Sequence, residues 1–143
     1  MKTRICASSL VVAGVLAASG SAFAQQPYPD LKGTWTGQTQ SILQGKTEHF
    51  PDTGETRFVE AAWTLVIDRQ EGNRFTGTRA RKEGTRRDPV LGVIRADRRT
   101  IHIVDDDGTF LGILSGPGAM EVCRTEVTAT SRIVSCAEFT RSQ

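Results

Sequence analysis

The sequence has no stretch of sustained helical periodicity and no internal repeat. The first absence excludes helix-built folds, and the second excludes repeat architectures. Histidine occurs only as His49 and His102, and no serine, cysteine or acid is spaced to form a triad with either. Both read as surface residues. The acidic run Asp105-Asp106-Asp107-Gly108 fails as a calcium loop, because Ile103 stands where the first ligand should be and no glutamate closes the site. It reads as a hairpin turn. No metal, no cofactor and no catalytic constellation are therefore expected, and the chain is expected not to be an enzyme.

A long apolar run is also missing, except at the N-terminus. There Lys2 and Arg4 precede an apolar stretch from Leu10 to Ala18 and an Ala22-Phe23-Ala24 cleavage pattern. That is the three-part pattern of a secretory signal peptide, too short and wrongly flanked to span a membrane. Cys6 lies before the apolar stretch, so it cannot be a lipid-modified cysteine at a mature N-terminus. Residues 1–24 are thus expected to be removed near Ala24, and residues 25–143 to form a single periplasmic or secreted domain. Without the leader, 16 basic residues face 16 acidic ones. No net basic excess survives to neutralise phosphates, so nucleic acid is excluded as a partner.

Two cysteines remain, Cys123 and Cys136. In an oxidising compartment an even pair reads as a disulfide. A hairpin turning at Ala129-Thr130 would set the two directly opposite each other, where cross-strand side chains come closest.

What the chain does have is short apolar, β-branched runs separated by turn chemistry at even spacing. Ala96-Asp97-Arg98-Arg99, Asp106-Asp107-Gly108, Gly116-Pro117-Gly118 and Thr128-Ala129-Thr130 punctuate the second half. Strands are expected at residues 33–43, 58–68, 74–81, 90–95, 100–104, 109–115, 119–127 and 131–141. Two-residue alternation puts one apolar set inward in each: Trp35; Trp63, Leu65 and Ile67; Phe75; Val90 and Ile94; Ile101 and Ile103; Phe110 and Leu114; Met120 and Val122; Ala137 and Phe139. Gly37, Gly77, Gly92 and Gly112 fall on the same face, where glycine permits a bend and leaves lumen space. The expected fold is all-β, an eight-stranded antiparallel up-and-down barrel with one disulfide. Antiparallel order collects the polar connection at residues 44–57, which carries Gly45, Pro51 and Gly54 and resembles a lid or Ω-loop, and the basic loop at residues 82–88 on one rim, with the turns before residues 109 and 131. This rim is expected to be the open mouth. Trp35, Ile67, Phe75, Ile94, Leu114, Met120 and Phe139 should shut the other end.

Gly33-Thr34-Trp35 at the start of the first strand resembles the G-x-W signature of the lipocalins, in which an arginine at the end of the last strand packs across the tryptophan. Arg141 occupies the matching place. Gly33-Thr34-Trp35 and Phe75-Thr76-Gly77-Thr78 are also similar to avidin-type barrels. Two departures matter: the helix that usually follows a lipocalin barrel is absent, and so are avidin's biotin-contacting residues. The resemblance implies the broader calycin class, with Trp35 and Arg141 closing the barrel, and names no ligand.

Among polar residues, Arg79 and Arg124 point inward in the upper half of the barrel, with Thr39, Ser41 and Ser135 at similar depth. A buried guanidinium needs a partner. Glu126 could supply one to Arg124; alternatively, one or both arginines meet the carboxylate of a ligand in a bidentate contact. Trp63 and Phe110 would form an apolar collar, and a basic rim of Arg79, Arg81, Lys82, Arg86 and Arg87 could steer an acidic molecule inward. The expected partner is an amphipathic or anionic small molecule. A protein-binding module, for instance an inhibitor of an exported hydrolase, is the rival. Outward aliphatics at Leu91, Val93, Val104, Leu111, Ile113, Val127 and Val134 allow a homo-oligomer through the last five strands.

Overall fold

The computed structural model describes residues 27–47 and 49–142. The expected signal segment, residues 1–24, lies outside them. Eight strands follow in order: β1 Gly33–Gly45, β2 Arg57–Glu71, β3 Arg74–Arg81, β4 Asp88–Ile94, β5 Thr100–Val104, β6 Thr109–Gly116, β7 Ala119–Val127 and β8 Ser131–Arg141. Each pairs antiparallel with the next, and β8 returns to β1 to close the barrel. Closure leaves no sheet edge with unpaired backbone groups.

The strands form where alternation is cleanest. β6, β7 and β8 bury every second side chain along their lengths. All fifteen apolar residues expected inward are buried in one core, together with Leu31 and Ala61. β1 and β2 run further than the sequence suggested. The β2–β3 pairing shifts register between Ile67 and Arg69, so the ladder continues through a bulge to Glu71 opposite Arg74. Gly72 and Asn73 then make the turn, with Gly72 at φ 60° where a side chain would be strained.

The bend also depends on a bare backbone. A Cβ on Gly77 would lie 2.1 Å from the carbonyl oxygen of Val66. Gly92 plays a different part from the one expected of it. The ring of Phe75 fills the place its side chain would take, with the nearest carbon 2.1 Å from a built Cβ, so this glycine admits a ring and leaves no lumen space.

At the end expected to be shut, Trp35, Ile94 and Met120 are almost wholly buried, together with Leu31 from the segment before β1, whereas Phe139, expected there, reaches the void in the upper half. Trp35 donates its indole N–H to the carbonyl of Leu31 at 2.9 Å, and Leu31 N–H is received by Gln70 Oε1 at 2.8 Å. Arg141, paired in register with Trp35, holds its guanidinium 5.7 Å from the indole ring and donates to the carbonyls of Asp30 and Lys32. Across the β7–β8 hairpin, Cys123 sits opposite Cys136 with 4.0 Å between Cα atoms, and the two are disulfide-bonded.

Candidate functional site

The upper half of the barrel gathers every residue the sequence nominated for ligand contact. Thr39 and Ser41 from β1, Trp63 from β2, Arg79 from β3, Phe110 from β6, Arg124 from β7 and Ser135 from β8 surround one internal void of about 40 Å³. Register explains the convergence: Phe110 pairs with Arg124, Arg124 with Ser135, and Ser135 with Ser41. Leu65, Val90, Ile103, Val122, Ile133 and Phe139 complete an apolar wall. A void of this size holds a few water molecules.

The two arginines are buried and already paired with acids. Arg79 Nη2 lies 3.2 Å from Asp88 Oδ2 and 2.7 Å from Asp105 Oδ2. Its guanidinium stacks 4.2 Å from the centroid of Trp63 and 5.1 Å from that of Phe110. Arg124 Nη2 meets Glu126 Oε2 at 2.8 Å, the pairing the sequence allowed, and also Asp107. Glu126 in turn accepts the hydroxyl of Ser131 at 2.9 Å. Each guanidinium still keeps one buried N–H, Nε, for which the described residues offer no acceptor. Of the two alternatives the sequence left open, pairing with protein carboxylates is the one seen at both arginines, and a ligand carboxylate would have to compete with it.

Burial pushes the Arg79 pKa down, opposed by the charges of Asp105 and Asp88. Burial also drives Asp105 upward against the pull of Arg79 and Arg124. At Asp88 burial acts the same way, but the hydrogen bonds from Arg86 and His49 and the charge of Arg79 together hold it below the usual carboxylate range. The turn reading of residues 105–108 stands: Asp105 Oδ1 accepts the backbone N–H of Gly108 at 2.8 Å. No group of three or more metal-ligating side chains occurs among the described residues.

At the rim one residue departs from expectation. The connection at residues 44–57, which resembles a lid or Ω-loop, turns its first part inward, and Thr47, His49 and Phe50 line the void. Thr47 is buried, and Phe50 packs against the core. His49, expected at the surface, has a side chain only 8% exposed. Its Nε2 is 2.9 Å from Asp88 Oδ2, and its ring meets Trp63 edge-on at 4.8 Å. Lone histidines give no sequence signal for such a position, because the loop carries no periodicity that would fix its direction.

The basic rim is also less basic than its sequence suggested. Arg79 is interior, Arg86 pairs with Asp88, and Arg81 lies 5.0 Å over the ring of Phe50. The missed acids had a signal. Counting back two from Val90 reaches Asp88, and counting on two from Ile103 reaches Asp105, so both continue the inward alternation past the strand ends. His102 does face outward, as expected.

Fold and site together define a closed eight-stranded antiparallel β-barrel whose lined internal void lies beneath an inward-folded loop. No family model and no curated protein matches the sequence. Among solved structures, the chain is similar to a redesigned β-barrel at 12% identity and a TM-score of 0.45, covering 79% of this chain and 92% of that one. It is also similar to an S-type phycobiliprotein lyase from Guillardia theta at 11% identity and a TM-score of 0.37, covering 79% and 89% respectively.

Proposed function

We propose that the protein is an exported, calycin-like binding barrel that takes a small amphipathic molecule into the upper lumen, entering where residues 46–56 fold over the mouth. One observation carries this reading. Arg79 and Arg124, each with a buried Nε–H that no described residue accepts, line an apolar-walled void, and a few convergent polar groups on an apolar wall are the make-up of a small-molecule site. Occupancy by a molecule larger than a few waters requires the loop to move aside. Binding without turnover fits the site better than catalysis, since His49 is hydrogen-bonded to Asp88 and, among the described residues, to no hydroxyl or thiol. Export is supported by the leader pattern at residues 1–24 and by the disulfide, which oxidising compartments favour.

The test is titration with N-phenylnaphthylamine, an uncharged dye that brightens in apolar surroundings. Saturable binding is expected in the parent. Ser135→Leu puts a bulky side chain into the void and should weaken it roughly tenfold or more while the circular dichroism spectrum is kept. Equal affinity in the two proteins would remove the lumen as the site. Export is checked separately, by the mass of the protein recovered from the periplasm.

A second reading rests on the outer surface. Phe58 is 84% exposed, beside Ile42 and Val134 on one cross-strand row, and Leu91, Val104 and Leu111 are exposed on β4 to β6. Such a strip suits self-association or a protein partner. Light scattering at tens of micromolar should then give a multiple of the monomer mass, and Phe58→Asp should reduce it. A monomer in both proteins would remove the oligomer.

A further inference from the structure

The charge balance around the void goes further than its shape, and it rests on the lumen being the binding site. Four carboxylates meet the cluster among the described residues: Asp88, Asp105, Asp107 and Glu126. Three guanidiniums answer them, Arg79, Arg124 and, half-exposed at the rim, Arg86, and the His49 ring also meets Asp88, at 2.9 Å. The side chains of Asp88, Asp105 and Glu126 are 4%, 0% and 2% exposed, so solvent screens these charges weakly. We infer that the site selects an uncharged head group that accepts hydrogen bonds, such as a carbonyl, amide or hydroxyl, on an apolar body, and discriminates against carboxylates and other anions.

The physical reason is that the arginines offer hydrogen-bond donors without offering net positive charge. Nε of Arg79 and Nε of Arg124 are buried N–H groups that need an acceptor, and both guanidiniums lie close to Phe110, 5.1 Å and 5.6 Å from its ring. A neutral oxygen that reaches either N–H satisfies it at little desolvation cost. An anionic oxygen makes the same bonds but adds a fifth negative charge to a cluster whose acids already outnumber its fixed cations. Ser41 and Ser135, which also line the void, add hydroxyls that adapt to a neutral head.

Octanamide and octanoate test this, because their heads are nearly isosteric and differ in charge. Each is titrated at neutral pH against protein carrying bound N-phenylnaphthylamine, and displacement is read from the loss of fluorescence. Octanamide should displace the dye at a concentration roughly tenfold or more below octanoate, the scale set by like-charge juxtaposition in a buried site. Asp107→Asn keeps an oxygen near Arg124 and removes one negative charge. In that variant the preference for the amide should shrink several-fold. Equal or better displacement by octanoate overturns the inference, as does a preference that Asp107→Asn leaves unchanged. Failure of the dye to bind at all is a different result, since it removes the lumen site and the inference falls with it.

Discussion

Arg79 shows how the interior of this barrel tolerates charge. Its guanidinium contacts two acids and two aromatic faces, so the cost of burial is met by ion pairing and by the ring quadrupoles. Inward alternation made Arg79 and Arg124 legible in the sequence, because it runs unbroken from Phe75 to Arg79 and from Met120 to Arg124. Alternation does not continue through a loop, which is why His49 was not legible. A second acid behaves differently for a reason that is local. Asp97, in the β4–β5 turn, accepts the Thr100 hydroxyl at 2.6 Å and the backbone N–H groups of Thr100 and Arg99 at 2.8 and 3.0 Å. Those bonds hold its pKa at about 2, against 3.8 for an ordinary aspartate. A depressed carboxylate contributes stability that is fully present above 3.8 and is lost as pH falls through about 2. Asp97→Asn should therefore lower Tm at neutral pH, and the gap from the parent should close on acidification through that window. A gap that stays constant with pH would mean that the turn is held by something other than the ionised carboxylate.

At the scale of elements, the β7–β8 hairpin and the loop at residues 46–56 stand at opposite extremes. Strict alternation and a tight turn fix the hairpin's register, so the sequence alone could place Cys123 opposite Cys136. Among the described residues of the loop, Thr47, His49 and Phe50 turn inward, held by the His49–Asp88 hydrogen bond, by one from Arg81 to the carbonyl of His49, and by ring contacts. Segments with so few buried contacts open at low free-energy cost. Phe50→Ala removes the largest apolar anchor of the loop without touching a strand. Stopped-flow mixing with N-phenylnaphthylamine should show association several-fold faster than in the parent, with thermal unfolding shifted little. Identical association rates would show that entry does not depend on this loop.

Over the whole molecule the two ends of the barrel are built for different purposes. The base is apolar, with Leu31, Trp35, Ile94 and Met120 almost wholly buried beneath Arg141. Above it lie paired charges, hydroxyls and a void. Trp35 and Ser41 lie on the same strand six residues apart, a span of roughly 20 Å at about 3.3 Å per residue. At that distance substitutions with no shared partners add independently, within about 0.5 kcal/mol. Arg141→Ala removes the guanidinium that ties β8 to the carbonyls of Asp30 and Lys32 and covers the indole of Trp35. It should lower unfolding stability by about 1–3 kcal/mol in urea titrations, from lost charge-assisted hydrogen bonds and cation–π contact, and leave dye affinity unchanged. Ser135→Leu should do the converse to affinity, and the double variant should show both effects as their sum. If Arg141→Ala weakens binding by itself, the closed sheet transmits strain from its base to its mouth, and the lumen cannot be treated as a site separate from the seal.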